Sequence, residues 1–194
     1  SNKSLKQIQK IFEYDSFFDD LINKSKIYRV TQILLGEKPK SINLQYFDKP
    51  PKFSKPTPPH QDGYYFKIKP LKAITLWLAL DDVDEKNGGV KYYPRSHLEG
   101  LRTHQPSGIL GFSQGIPNDE PILKESKGVF VPCSAGTLLA HDALTIHCAN
   151  KNETNRSRRS LGFIYYASSV KINEIEASIY QNTLDHELKE KGFI

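Results

Sequence analysis

Apolar positions near the start of the chain fall at helical spacing: Leu5, Ile8 and Phe12 recur three and four apart. Further on, "SKIYRVTQILLG" runs from a Ser25 cap to a Gly36 stop, and Asp15 or Ser16 offers another cap between them. This predicts a helical preface over residues 1–36. After "EKPK" the pattern changes to short β-type segments punctuated by Gly, Pro, Asn and Asp: "SINLQYF", "AITLWLAL", "GVKYYP", "GVFV", "GTLLAH", "LTIH" and "RSLGFIYYAS". Seven such strands predict an all-β core with flanking helices, a sandwich or barrel over residues 41–168.

Alternation within the second segment is informative. Ile74, Leu76, Leu78 and Leu80 line one face, which leaves Thr75, Trp77 and Ala79 on the other, the candidate barrel interior. Two stretches fit no regular element. "KPPKFSKPTPP" holds five prolines in eleven residues and is expected to be extended and poor in ladder hydrogen bonds. Residues 98–127 read as a long insertion that either covers a site or runs over the surface. The tail, residues 169–194, is expected to end as a short or frayed helix.

Bulk properties narrow the setting. At 194 residues, 38% hydrophobic and 11% aromatic, the chain suits one folded domain. No apolar run is long enough to span a bilayer, and "SNKSLKQIQK" lacks a signal-peptide core. Only Cys133 and Cys148 occur, the usage of a reducing compartment, so a cytoplasmic protein is expected. With no methionine at all, the N-terminus is expected to be processed or truncated. The net charge of +5 comes from scattered lysines rather than a basic stripe, which argues against nucleic-acid binding.

Chemistry concentrates in a few places. In "PPHQDGYYF", His60 and Asp62 stand two apart, a spacing that puts an imidazole and a carboxylate on one side of an extended segment. A third ligand is sought in "GTLLAHDALTIHCAN", where His141 and His147 compete. His147 is favoured because Arg158 follows eleven residues later on a strand. An inward Arg158 requires an anion, and a guanidinium grips a carboxylate bidentately. Arg156 shares its parity and is the alternative, whereas Arg159 faces away. Two imidazoles and one carboxylate leave positions open on an octahedral ion, the ligand set of non-heme Fe(II) oxygenases. The expected triad is His60, Asp62 and His147.

The stretches "PTPPHQDGYYF", "ITLWLALDDVDEKNGGVKYYPRSH" and "AGTLLAHDALTIHCANKNETNRSRRSL", and more loosely "ILLGEKP", together resemble the phytanoyl-CoA dioxygenase family of Fe(II)- and 2-oxoglutarate-dependent oxygenases. The resemblance covers about residues 30–168. It implies a double-stranded β-helix, a cupin-like jelly roll, with His60, Asp62 and His147 on iron and Arg158 on the distal carboxylate of 2-oxoglutarate. By the same resemblance Trp77 matches an aromatic near the site, a role to set against simple core packing. Asn43 and Gln45 are further candidates for the co-substrate, and Tyr64 and Tyr65 for the substrate pocket. The implied reaction consumes O2, decarboxylates 2-oxoglutarate to succinate and hydroxylates a C–H bond of a small molecule. Halogenating relatives of this chemistry lack the carboxylate ligand, which Asp62 argues against.

The chain departs from the family pattern at Ala149, where members often carry a small hydroxyl residue two after the distal histidine. Two rival readings stand beside the oxygenase: a non-catalytic metal-binding barrel, and a zinc or manganese enzyme using the same open triad. The identity of the substrate and the oligomeric state are not legible in the sequence.

Overall fold

Two capped helices open the fold, where the caps were expected. The structure, a computed structural model, describes residues 7–52, 54–109 and 112–190. Asp15 accepts the Phe17 N–H to start α1 (Ser16–Lys24), and Ser25 accepts the Ile27 N–H to start α2 (Lys26–Leu35). Gly36 closes α2 at φ 70°, a left-handed position suited to glycine. The first predicted turn is different. Gln7–Ile8 form a strand, β1, and a 3-10 turn follows at Ile11–Glu13. Pairing of Ile8 with Tyr46 and Gln7 with Phe47 overrides the helical spacing of Ile8 and Phe12, while Leu5 lies outside the described residues.

Beyond the preface come β2 (Pro39–Lys49), β3 (Thr57–His60), a helical turn α3 (Gly63–Phe66), β4 (Ile68–Lys69), β5 (Ala73–Ala79) and β6 (Val90–Tyr92). A second 3-10 turn at Ser96–Glu99 leads to β7 (Gln105–Ile109), β8 (Phe112–Gly115), α4 (Pro121–Glu125) and β9 (Val129–Phe130). The chain then runs through β10 (Leu138–Asp142), β11 (His147–Ala149), β12 (Arg158–Ala167), β13 (Lys171–Ile172) and α5 (Glu174–Glu190).

One sheet has the order β1-β2-β12-β5-β10 and the other β3-β11-β6-β9. In chain order the core strands visit the larger sheet, the smaller, the larger, the smaller twice, the larger, the smaller and the larger again, all pairings being antiparallel. This winding is the double-stranded β-helix. It contains one core strand more than the sequence suggested, because β3 lies inside the proline run. β3 is an edge strand, where proline's missing donor is tolerated. The segment "LTIH" is also shifted: it is a turn, and the strand starts at His147 rather than ending there.

The larger sheet has an apolar back and a mixed front. Leu44, Leu76, Phe163 and Tyr165 are fully buried against Ile22 and the rest of the α1–α2 layer, and the Tyr165 hydroxyl donates to Ile22 O at 2.8 Å. Each such side chain contributes roughly 1.5–3 kcal/mol on burial. The insertion at 98–127 carries a hairpin, β7–β8, and the short α4. Part of the expected tail helix belongs to α5, and residues 191–194 lie outside the described residues. Among the described residues no helix is long and apolar enough to cross a membrane.

Candidate active site

His60 and Asp62 converge, though not by strand alternation. β3 ends on His60, which is buried, and Asp62 already has helical backbone angles (φ −58°, ψ −35°) at the entry to α3. The turn is held by Gly63, whose N–H donates to Ala143 O at 2.8 Å. A Cβ at Gly63 would sit 3.2 Å from that oxygen and 3.3 Å from Leu71 Cδ2, so glycine permits the close approach. His147 reaches the same place through the sheet, as the cross-strand partner of His60.

Asp62 Oδ1 lies 3.5 Å from His60 Nε2 and 3.8 Å from His147 Nε2, and ligand atoms of the three residues all fall within 4.8 Å of one another. The tautomers follow from the backbone. His60 Nδ1 is 2.8 Å from Pro58 O and His147 Nδ1 is 3.0 Å from Thr145 O. A carbonyl can only accept, so both Nδ1 atoms carry the proton and both Nε2 atoms present lone pairs. Three electron-rich atoms thus face one another with no proton between them, an arrangement that a cation stabilises. Burial alone would raise the Asp62 pKa, but His147, His141 and His60 hold it well below the ordinary carboxylate range. Burial and the neighbouring imidazoles push His147 well below the usual histidine value.

The other carboxylate oxygen is saturated by donors. Thr75 Oγ1 donates to Asp62 Oδ2 at 2.6 Å, and His141 Nε2 stands 3.1 Å from the same atom. The Nε2 of His141 therefore carries a proton, which removes this histidine from competition as a ligand through that atom. Its Nδ1 is 3.3 Å from the Tyr92 hydroxyl.

The front of the larger sheet is organised in rows. Asn43, Ile164, Thr75 and His141 form one; Gln45, Gly162, Trp77 and Leu139 the next; then Phe47, Ser160 and Ala79, and finally Lys49 beside Arg158. Arg158 is 4% exposed and reaches back along these rows. Its Nη1 donates to Ser160 Oγ at 3.1 Å and its Cζ lies 5.3 Å from the centroid of Trp77. Its Nε is buried with no hydrogen-bond partner, and burial lowers its pKa to about 10. The guanidinium thus lies between the Ser160 and Trp77 rows, on the sheet face that also carries the Thr75–His141 pair gripping Asp62. The sequence alternatives are occupied elsewhere: Arg156 pairs with Asp84 and Arg159 with Asp81, both near the surface.

Gln45 lies level with Trp77 and accepts from Gln7 Nε2 at 3.1 Å. Asn43 Oδ1 accepts the Lys10 backbone N–H at 2.9 Å, tying the chain after β1 to β2. Lys49 was missed by the sequence reading, although it continues the parity of Asn43 and Gln45. It is 8% exposed, its Nζ donates to Lys55 O at 2.7 Å, and burial, then Arg158, lowers its pKa to about 7.

A sign follows. The unfolded chain binds the Lys49 proton up to 10.5 and the folded one only to about 7, so this lysine destabilises the fold fully below pH 7 and progressively less as pH rises across that window. The slope is at most about 1.4 kcal/mol per pH unit. Lys49→Met is expected to raise the unfolding free energy at pH 7 and to remove this part of the parent's gain toward pH 10, as read by urea denaturation at both pH values. Parallel pH profiles for parent and variant would show that Lys49 is not buried as a cation.

Gln61, between the two converging residues, is fully buried and latches the insertion. Its Nε2 donates to Gly100 O and Leu144 O at 2.9 and 2.6 Å, and its Oε1 accepts the Arg102 N–H at 2.7 Å. Its own N–H donates to His104 Nε2 at 3.1 Å, and His104 stacks on Tyr64 at 4.3 Å. Burial lowers the His104 pKa to about 4, in keeping with a neutral acceptor. Tyr65 donates to Gln114 O at 2.7 Å, and its ring lies 6.1 Å from that of His60. The insertion therefore packs over the segment carrying His60 and Asp62 instead of running across open surface.

Comparison with known proteins gives the family and the fold. The sequence model described as phytanoyl-CoA dioxygenase (PhyH) matches residues 3–160, and the chain belongs to that family. It is 27% identical over 156 residues to a phytanoyl-CoA dioxygenase domain-containing protein 1 homolog of Caenorhabditis briggsae, covering 75% of this chain and 53% of the relative. A probable alpha-ketoglutarate-dependent hypophosphite dioxygenase of Stutzerimonas stutzeri is 28% identical, covering 87% of this chain and 59% of that one. The chain spans about half the length of the curated relatives it matches. Among solved structures, the non-heme alpha ketoglutarate dependent carbocyclase SnoK from nogalamycin biosynthesis superposes with a TM-score of 0.73 at 24% identity, covering 86% of this chain and 65% of that one. The epimerase SnoN in complex with Fe3+, alpha ketoglutarate and nogalamycin RO gives 0.72 at 24% identity, with 88% and 70% covered. These likenesses establish the jelly roll.

Proposed function

We propose that the protein is an Fe(II)- and 2-oxoglutarate-dependent dioxygenase that hydroxylates a C–H bond of a small organic substrate, consuming O2 and releasing succinate and CO2. The observation that carries this reading is the cluster of lone pairs from His60 Nε2, His147 Nε2 and Asp62 Oδ1, beside a sheet face that carries a buried arginine whose Nε has no partner. In this reading His60, Asp62 and His147 hold the metal. When bound, Fe(II) supplies open coordination positions at which the keto acid and dioxygen meet.

The protein's own contribution is orientation and dryness. Pro58 O and Thr145 O fix the ligand tautomers. Arg158 takes the distal carboxylate beside Trp77, whose ring packs in a buried cluster with Val83 and Val90, and Gln45 shares the row of Trp77. Ala149, 6% exposed, brings no hydroxyl, and the Ser160 hydroxyl is turned to Arg158. Tyr65 and Tyr64 face the substrate side under the latched insertion. Residues 1–194 act as a single oxygenase domain in which α1 and α2 brace the back of the larger sheet, and the half-buried Cys133 and Cys148, which form no disulfide, suit a reducing, cytoplasmic setting. A hydrolytic metalloenzyme has no use for the buried Arg158, which favours the oxygenase over that reading.

The test is an anaerobic titration of metal-free protein with Fe(II), then 2-oxoglutarate. A visible metal-to-ligand charge-transfer band is the expected result, with succinate formed once air is admitted. Metal uptake without the band would overturn the co-substrate assignment in favour of a structural or hydrolytic metal.

A further inference from the structure

We propose that His141, braced by Tyr92, is a positioning residue that fixes Asp62 as a one-oxygen ligand, so that Oδ1 alone is offered to the metal and the neighbouring coordination positions stay open. The proposal deepens the metal-site reading above and rests on it.

The two oxygens of Asp62 have opposite surroundings. Oδ1 faces the Nε2 atoms of His60 and His147 at 3.5 and 3.8 Å. Oδ2 takes hydrogen bonds from Thr75 at 2.6 Å and from His141 at 3.1 Å. A carboxylate free to turn can bind an ion through both oxygens. One whose second oxygen already accepts two donors cannot do so without breaking them.

His141 is built for the task. Thr75 and His141 are cross-strand partners on β5 and β10, so the two donors approach Oδ2 from adjacent strands of one rigid sheet. His141 is 8% exposed, and its ring lies 4.4 Å from that of His147 and 5.3 Å from that of Tyr92. The Tyr92 hydroxyl at 3.3 Å donates to His141 Nδ1, which leaves the ring's single proton on Nε2, aimed at Asp62. The three histidines therefore divide by tautomer. His60 and His147 point lone pairs inward because backbone carbonyls take their Nδ1 protons, whereas His141 points a proton inward because a hydroxyl fills its Nδ1. A leucine or phenylalanine would pack as well beside Tyr92 and Leu139 but could not donate.

The experiment measures Mn(II) affinity, a redox-silent probe of the site, in the parent, His141→Leu, His141→Gln and His141→Asn, together with the melting temperature of each metal-free protein. Glutamine can place an N–H where His141 Nε2 sits; asparagine is as polar but about one bond too short. Loss of an outer partner of a ligand typically weakens metal binding about 10–100-fold. His141→Leu and His141→Asn are expected to lose affinity by that factor, while His141→Gln stays within about threefold of the parent. A structural role alone would make affinity follow melting temperature rather than donor position. If His141→Leu does not fold, the glutamine–asparagine pair still decides. Equal affinity in parent and His141→Asn, or no advantage of glutamine over asparagine, would overturn the proposal while leaving the metal site intact. A parent that binds no Mn(II) or Fe(II) would overturn both.

Discussion

Asp62→Ala is expected to abolish measurable Fe(II) and Mn(II) binding, and with it every 2-oxoglutarate signal, in a protein that still folds. The carboxylate is the only anion in the cluster of His60, Asp62 and His147. Without it two neutral imidazoles remain to hold a dication, so the loss must exceed the roughly 10–100-fold that follows from removing an outer partner. The fold should survive because the substitution leaves only the Thr75 hydroxyl and the His141 N–H without their acceptor. That costs about 1–3 kcal/mol per group at most, against a typical stability of about 5–15 kcal/mol. Thermal denaturation provides a readout independent of turnover. At a metal concentration 100 times the dissociation constant the parent gains about 2.7 kcal/mol, and Asp62→Ala should gain nothing. A metal-induced shift equal to the parent's would remove Asp62 from the ligand set and with it the facial triad.

That Asp62 belongs with His60 was legible in the sequence, although the reason offered for it does not hold. The spacing was read as alternation along a strand, whereas the chain leaves β3 at His60 and has entered a helical turn by Asp62. Two-residue spacing brings the pair together in either geometry, which is why the motif is readable without the backbone. The alternation of β5 was legible: Leu76 faces the helices and Thr75 and Trp77 the opposite side, where Thr75 meets Asp62, although Leu80 falls beyond the strand and is exposed. Parity also chose Arg158 over Arg159.

What was not legible depends on contacts across long stretches of chain. β3 was hidden because its prolines argue against a strand unless its edge position is known. Gln61 holds a loop about forty residues away, and no local pattern announces such a latch. His141 looked like a rival ligand because the choice between donor and lone pair is made by Tyr92, a residue 49 positions away. Lys49 was the recoverable omission: the alternation through Asn43 and Gln45 runs on to it, but it opens the proline run, which fits no regular element.

Arg158→Met should weaken 2-oxoglutarate binding while leaving metal affinity unchanged, a split that separates the anchor from the triad. Truncating one partner of a buried, hydrogen-bonded charge pair costs about 2–5 kcal/mol, or roughly 30- to 5,000-fold in affinity. Methionine is chosen because it fills the space beside Trp77 that alanine would leave empty, so that lost packing is not mistaken for lost charge. In the ligand-free protein the same change should be neutral or stabilising. Arg158 is buried deeply enough for its pKa to fall to about 10, its Nε has no partner, and Lys49 stands beside it as a second buried cation. Replacing such a charge with an apolar side chain removes a desolvation penalty. Isothermal titration with 2-oxoglutarate on the Mn(II)-loaded protein gives the first quantity and urea denaturation the second. The surface cations Arg156 and Arg159 are already paired with Asp84 and Asp81 and should leave 2-oxoglutarate affinity unaltered when changed to methionine. If Arg158→Met binds 2-oxoglutarate as tightly as the parent, the distal carboxylate lies elsewhere, and Lys49, the other cation on this face of the sheet, becomes the residue to replace next.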